Sequence, residues 1–446
     1  FNGIGIEFNI LNDTLTIIAP ISGGPSEKVG IIAGDRIISV DGEKIAGVKL
    51  TNEKAFSLLR GPKGSKVSLS IFRKSINDSI NFDIIRDKIP IHSVEASYEV
   101  KPGVMYLKLA RFALTSMDEI NEAFAKFKKK PQALILDLRS NSGGILPTGI
   151  ALANQFFDAD KLVVYTEGSK APKMMELSDG KGLFTQGKLI LLIDEGSASA
   201  SEIVAGAVQD WDRGILIGRR SFGKGLVPQQ LPFNDGSFIR LTIARYHTPT
   251  GRVIQRPYDN GNIEKYYSDL YKRYSNGGEA FNIDNLTFPD SLKYQTLKNG
   301  RTVYGGGGIM PDIFIPLDTS TYSKYSGQLG RKGIVNQFVL NYMDNNRAKL
   351  KSKYKKFNDY NNKFTIDNEL FNQLIEFAEK QGVPRNEKEI ATSESDIRLI
   401  MKALIARDLF SDNEYYQIVN SGRDDAYKKA IEVVDKWEHY EKTVLH

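Results

Sequence analysis

Three serines spaced two apart, Ser197, Ser199 and Ser201, stand beside Glu202 in the run Gly196-Ser197-Ala198-Ser199-Ala200-Ser201-Glu202. The run follows the apolar stretch 189–193 and leads into Ile203-Val204-Ala205-Gly206-Ala207. A strand that ends in a small-residue turn and opens a helix can leave a serine hydroxyl beside unpaired helix N-terminal amides. A nucleophile and an oxyanion site can coexist there, which is the chemistry of acyl transfer. Further along, Ser221-Phe222-Gly223-Lys224-Gly225 places one lysine between glycines, where main chain approaches closely and an amine can be desolvated. A serine nucleophile needs a base, and a buried lysine can serve as one. The first run also has a purely structural reading, because Ser199-Ala200-Ser201-Glu202 fits a helix capping box.

Taken with Leu134-Ile135-Leu136-Asp137-Leu138-Arg139-Ser140-Asn141-Ser142-Gly143-Gly144, the two runs resemble the carboxyl-terminal processing peptidases, or tail-specific proteases. These are serine proteases with a Ser–Lys catalytic pair and a PDZ domain ahead of the protease core. The resemblance extends to Gly3-Ile4-Gly5-Ile6 and to Gly34-Asp35-Arg36-Ile37-Ile38-Ser39-Val40-Asp41-Gly42 in the PDZ part. It includes Arg245-Tyr246-His247-Thr248-Pro249-Thr250-Gly251-Arg252 and Gly306-Gly307-Gly308-Ile309-Met310-Pro311-Asp312, and so runs from residue 1 to about residue 317.

The resemblance implies Ser199 as nucleophile, Lys224 as base, and an oxyanion hole built from the amides of Ala200 and Gly143. It implies no cofactor and no metal. The loop Gly3, Ile4, Gly5 and Ile6 would hold the terminal carboxylate of a peptide that adds a strand, with Ala55 and Leu59 of the neighbouring helix lining the pocket. Expected partners are therefore proteins or peptides with disordered, apolar C-termini. Family members are exported, to the cell envelope or periplasm, and their terminal helices contribute to dimerisation, which leaves a homodimer open here.

One position departs from the family pattern Gly-Lys-Gly-x-Val-Gln, whose glutamine orients the lysine. This chain reads Gly223-Lys224-Gly225-Leu226-Val227-Pro228-Gln229, so Pro228 occupies that place. Proline offers neither a side-chain carbonyl nor a main-chain donor. Either Gln229, one residue on, is the third member of the triad, or the lysine is oriented by main chain alone.

A lysine acting as a base near pH 7 has to be neutral. For a free amine with pKa near 10.4 that is a displacement of about three units, or roughly 4 to 5 kcal/mol of differential solvation. Burial against Phe222, Leu226 or Ile203 is expected to supply it. Asp137 and Arg139 read as a structural ion pair that pins the glycine turn, since an unpaired carboxylate in an apolar strand is costly.

Three rival readings come from other classes. Gly218-Arg219-Arg220-Ser221-Phe222-Gly223-Lys224-Gly225 nearly matches a phosphate-binding loop, but it lacks the following Ser or Thr, and Pro228 and Pro232 block the helix such a loop requires. A Ser-His-Asp hydrolase would have to draw on His92, His247, His439 or His446, and His247 sits at a strand end where a structural role is simpler. The third rival is a catalytically weakened or inactive PDZ scaffold with a protease fold, which Pro228 favours.

The chain has 446 residues, 41% of them hydrophobic, enough for more than one core. Its 60 basic and 54 acidic residues leave a net charge of +6 spread over the whole length, too dilute to argue for nucleic acid. With no cysteine there is no disulfide framework, thiolate metal site or cysteine nucleophile. No apolar run is long enough to cross a bilayer, and no export signal or membrane anchor is visible.

The elements that must position these groups are legible as patterns. Residues 1–88 alternate short β runs with turns, around one amphipathic helix at 51–60, as expected of a PDZ domain of mixed β structure with helices. From 89 to 317 strands at 104–109, 133–138, 189–193, 215–218 and 238–246 interleave with helices at 146–157 and 199–211, the signature of an α/β core. Residues 262–301 are tyrosine-rich and read as an irregular insertion without assigned chemistry. The region 318–446 is helical, with helices at 333–355, 367–381, 393–409 and 424–437. The expected fold is thus α/β multidomain: a PDZ domain, a protease core and a C-terminal helical region.

Overall fold

The computed structural model describes residues 1–74, 76–127, 129–258, 262–275, 278–283 and 288–446. Parts of the predicted insertion, at 276–277 and 284–287, lie outside the described residues. The chain forms two compact units, residues 1–91 with 320–422, and residues 92–319 with 423–446.

In the first unit the strands Ile6–Leu11, Thr14–Pro20, Arg36–Val40, Lys66–Arg73 and Asp78–Ile85 follow one another in an antiparallel sheet, with Glu43–Lys44 paired to the third. Alternation decides which face is buried: Val67, Leu69 and Ile71 point inward from one strand, and Leu15, Ile17, Ile37 and Ile84 meet them. The helix Asn52–Leu59 closes this core, started by the Thr51 hydroxyl, which accepts from Lys54 N–H at 3.2 Å. This is the PDZ domain expected from the sequence.

The same unit contains the helices Lys324–Arg331, Ile334–Lys353, Phe357–Lys363, Asn368–Lys380 and Glu387–Leu409. They bury Phe338, Met343, Tyr360, Leu374, Met401 and Ile405. Ion pairs knit them to the PDZ part: Arg36 Nη2 meets Asp344 Oδ2 at 2.7 Å, and Arg347, held by Asp408, donates to the Ala33 carbonyl at 2.9 Å.

The second unit is built on a six-stranded sheet in the order Ile313–Phe314, Ile215–Gly218, Lys188–Ile193, Ala133–Asp137, Val104–Leu109, Val94–Lys101. All neighbours are parallel except the last pair. Strands covered on both faces read as continuous apolar runs, and the central Ala133–Asp137, Lys188–Ile193 and Ile215–Gly218 do. A second, antiparallel sheet runs Met174–Leu177, Leu162–Glu167, Phe238–His247, Leu226–Pro232, with the last as an edge. The helix Asp425–Asp435 and the chain that follows it belong to this unit, not with the helices between 324 and 409: the Tyr427 ring packs on Tyr106 at 5.5 Å, and Lys188 Nζ donates to the Val434 carbonyl at 3.0 Å.

Candidate active site

Three adjacent parallel strands end at Asp137, Ile193 and Gly218, and the loops that leave them carry Gly143, Ser199 and Lys224. Ligand sites in α/β sheets form at such carboxyl ends, where successive loops converge.

The loop after Ile193 turns into the helix Ala200–Asp210 through Ser199, whose backbone sits at φ 57°, ψ −112°. A non-glycine residue at positive φ costs about 1–3 kcal/mol and persists only where its surroundings over-determine it. Here they do. The Ser197 hydroxyl donates to the Leu138 carbonyl and accepts from Asp194 N–H, at 2.8 and 3.0 Å, while the Ser201 hydroxyl donates to the Asn141 carbonyl at 2.8 Å. Both serines are buried. The Ser199 hydroxyl is half-buried and donates to no acceptor among the described residues. Of the three serines, it alone is uncommitted.

Ser199 and Glu202 occupy the places of a capping box, but no hydrogen bond reaches the Ser199 hydroxyl among the described residues. Glu202 Oε2 accepts from Ser199 N–H at 2.8 Å, and Glu202 N–H points back to donate to the Ser199 carbonyl at 2.9 Å. The carboxylate does more than cap. Its Oε2 also accepts from Lys224 N–H at 2.8 Å, and Oε1 accepts from the Ser221 hydroxyl and Gly223 N–H, both at 2.6 Å. Burial pushes the Glu202 carboxyl up in pKa, and these four donors oppose the shift. From the sequence Glu202 was legible only as a cap.

The Ala200 N–H has no acceptor among the described residues. Gly143 faces it: a Cβ at Gly143 would lie 2.8 Å from Ser199 Cβ and 3.1 Å from Ala200 N, so only glycine leaves this space open, and its φ of +93° favours glycine as well. The Gly143 N–H itself donates to Asn141 Oδ1 at 2.9 Å. One of the two expected oxyanion donors is therefore free and the other is occupied.

Lys224 corrects an expectation. Its side chain is exposed rather than buried against Phe222, Leu226 or Ile203, and its ammonium makes no hydrogen bond to Ser199. Gln229 is exposed too, on the edge strand Leu226–Pro232, paired with Leu241 while Pro228 pairs with Thr242. Successive strand residues point to opposite faces, so Gln229 lies across the strand from the place the family glutamine would take. The main chain around Ser199 is held in place, and the side chains of Lys224 and Gln229 lie exposed.

Asp137 and Arg139 form the expected ion pair. Arg139 donates to Asp137 through its main-chain N–H and Nε, both at 2.9 Å, and Tyr106 adds its hydroxyl at 2.7 Å. Burial alone would raise the Asp137 pKa, but the Arg139 and Lys108 charges and these donors hold it well below the carboxylate range. Arg139 Nη1 reaches on to Asp424 at 2.8 Å, so the same pair fixes the terminal helix. His247 stacks on Tyr165 at 4.6 Å, with Nδ1 3.2 Å from the Gly251 carbonyl, a structural setting. A strand, not a helix, follows Gly225, which removes the phosphate-loop reading.

In the PDZ domain the Ile4 and Gly5 N–H groups make no hydrogen bond among the described residues, as a carboxylate loop requires. Ile6–Leu11 is a sheet edge, and Phe8 meets Phe56 of the helix across it at 5.3 Å. Ala55 and Leu59 are buried in the domain core, whereas Phe56 is 41% exposed. The groove wall thus shows Phe56 where sequence pointed to Ala55 and Leu59.

A PDZ domain and an α/β core with a strained serine at a strand-to-helix turn define a class, and comparison with known proteins places the chain within it. The family model for peptidase family S41 matches residues 103–264, the PDZ domain model matches 16–73, and a family of unknown function matches 325–412. The chain is 31% identical over 394 residues to a probable CtpA-like serine protease of Staphylococcus epidermidis, covering 84% of this chain and 74% of that one. It is 37% identical over 261 residues to the carboxy-terminal-processing protease of Bartonella bacilliformis, covering 57% of this chain and spanning 59% of the relative's length. Among solved structures, the photosystem II D1 C-terminal processing protease is 30% identical over 57% of this chain and 69% of that one, with a TM-score of 0.34. The chain belongs to the carboxyl-terminal processing protease family, within peptidase family S41.

Proposed function

We propose that the chain is a serine endopeptidase that captures unstructured C-terminal tails through its PDZ domain and cleaves them with Ser199 and Lys224. The observation that carries this reading is the Ser199 turn, whose hydroxyl and the neighbouring Ala200 N–H both lack an acceptor among the described residues.

In the reaction Ser199 gives its proton to neutral Lys224 Nζ as Oγ attacks the scissile carbonyl. The resulting oxyanion is held by Ala200 N–H and by Gly143 N–H once Asn141 releases it. Lys224 then returns the proton to the departing amine nitrogen as the C–N bond breaks, leaving an acyl ester on Ser199. Water, deprotonated by Lys224, hydrolyses the ester and restores the hydroxyl. Lys224 has to swing from solvent onto Ser199 for any of this.

A second reading, a weakened or inactive scaffold, is favoured by Pro228 and by the exposed Lys224. Export to the cell envelope and a homodimer through terminal helices rest on the family resemblance. Incubation with a protein bearing an unfolded apolar tail, followed by mass spectrometry of the products, tests the reading. Fragments from the wild type and none from Ser199→Ala support it; no cleavage by either selects the scaffold.

A further inference from the structure

We infer that the helix Ile263–Arg273, inside the segment the sequence presented as an irregular insertion, positions the lysine loop 221–225 from behind, with Arg273 and Tyr266 as its positioning residues. The inference rests on the Ser–Lys reading for its effect on turnover, and on geometry alone for its effect on the loop.

Each residue of the loop is tied on its main chain or ring, and among the described residues the Lys224 side chain has no hydrogen-bond partner. Arg273 is buried and donates through Nη1 to the Ser221 carbonyl at 2.8 Å and the Arg220 carbonyl at 3.4 Å, and through Nη2 to the Gly307 carbonyl at 3.4 Å. The Arg256 guanidinium lies 4.5 Å from the Phe222 ring centre and 4.2 Å from that of Tyr266, so a cation sandwiched between rings joins the loop to the helix. Arg256 N–H donates to the Gly223 carbonyl at 3.0 Å, and a Cβ at Gly223 would strike Arg256 Cγ at 2.3 Å. Gln255 Oε1 accepts from Gly225 N–H at 3.0 Å, and its Nε2 reaches the Tyr266 hydroxyl at 3.4 Å.

The helix is itself fixed. Glu279 pairs with Arg273 at 3.2 Å and with Arg220 at 2.8 Å. Ala280 N–H donates to the Arg273 carbonyl at 3.0 Å, and Leu317 N–H donates to the Ala280 carbonyl at 2.8 Å, which ties the end of the segment to the exit of the core sheet. Burial, with Arg220 and Arg256 nearby, pushes the Arg273 pKa down to about 10, so it remains a cation under working conditions. This chain has proline rather than glutamine at 228, and it fixes the loop through buried arginine–carbonyl contacts. The contrast with the Leu226–Pro232 edge is plain, where neither Pro228 nor Gln229 reaches the loop.

The test uses the full chain with Arg273→Gln, Arg273→Lys and Tyr266→Phe, read by hydrogen exchange of the 219–226 segment and by kinetics per site titrated with a fluorophosphonate. Arg273→Gln is expected to speed exchange of Gly223, Lys224 and Gly225 N–H about ten-fold while the 188–193 strand is unchanged. It should lower kcat about ten-fold with KM within about two-fold, and Arg273→Lys should restore part of both. Tyr266→Phe should move both in the same direction by less, and it stands in if the arginine variants do not fold. Unchanged exchange in 219–226, an unchanged kcat per titrated site, or a rise in KM alone would overturn the inference. Should the wild type fail to label at Ser199, the catalytic reading falls and the exchange arm alone decides whether the helix holds the loop.

Discussion

Ser199 and Lys224 are joined through a single atom, because Glu202 Oε2 accepts from the main-chain N–H of both at 2.8 Å. The spacing of the two loops therefore depends on one buried carboxylate. It also fixes the Ser199 strain, since the N–H that the unusual φ turns inward finds its acceptor there.

Glu202→Gln should separate those loops. An amide has one acceptor oxygen, so two of the four donors would face an NH2 group, at a cost of about 2–4 kcal/mol in urea unfolding. Fluorophosphonate labelling of Ser199 should slow by at least about ten-fold in the folded fraction. Unaltered stability and labelling would mean that the carboxylate serves only as a cap.

Removing Asp137 strips the buried acceptor from the Tyr106 hydroxyl and from Arg139, which keeps only Asp424 as a charged partner. Asp137→Ala should destabilise the chain by about 3–5 kcal/mol. The same pair sets an acid limit. The folded-state pKa of Asp137 is depressed, so its contribution is present above the unfolded carboxylate value of 3.8 and is lost as pH falls through and below it. Denaturation midpoints followed downward from pH 5 should drop more steeply in wild type than in Asp137→Ala.

Pro228 and Gln229 point to opposite faces of an edge strand, which predicts opposite outcomes for their replacement. Gln229→Ala should leave kcat within about two-fold, while Pro228→Gln, restoring a carbonyl on the lysine side, should raise it several-fold. A large loss in Gln229→Ala would show that the strand shifts register during turnover and would reinstate Gln229 in the triad.

Tail capture should depend on charge at the terminus. A carboxylate held by the free Ile4 and Gly5 N–H groups gains about 1.5–3 kcal/mol per charged hydrogen bond, so amidating the tail should weaken binding several-fold or more by calorimetry. Phe56→Ala is the cleaner groove variant, because large replacements at the buried Ala55 or Leu59 would disturb the domain core first. Equal affinity for acid and amide tails would rule out carboxylate recognition.

What was legible in the sequence follows from how each signal is encoded. The strands Val104–Leu109 and Ile215–Gly218 fall where their apolar runs place them, since parallel strands buried on both faces need no alternation to be seen. The Ser199 turn was legible because small residues, a cap and a following apolar helix occur together. The helix Ile263–Arg273 does carry apolar and aromatic residues at helical spacing, Ile263, Tyr266, Leu270 and Tyr271, but the tyrosine-rich, irregular sequence around it masks that pattern. The exposure of Lys224 could not be read either, because flanking glycines permit a buried amine without compelling one. The placement of 425–435 with the core was set by Tyr427, Asp424 and Val434 meeting partners some 250 to 330 residues away in sequence, a relation no local pattern carries.

The central claim, that Ser199 is a nucleophile activated by Lys224, is tested most directly by mapping a fluorophosphonate adduct by peptide mass spectrometry in wild type, Ser199→Ala, Lys224→Ala and the double variant. The account predicts an adduct on Ser199 in the wild type, none in Ser199→Ala, strongly slowed labelling in Lys224→Ala, and a double variant no worse than the worse single one. An adduct on Ser197 or Ser201, or labelling of Ser199 at an undiminished rate without Lys224, would contradict it.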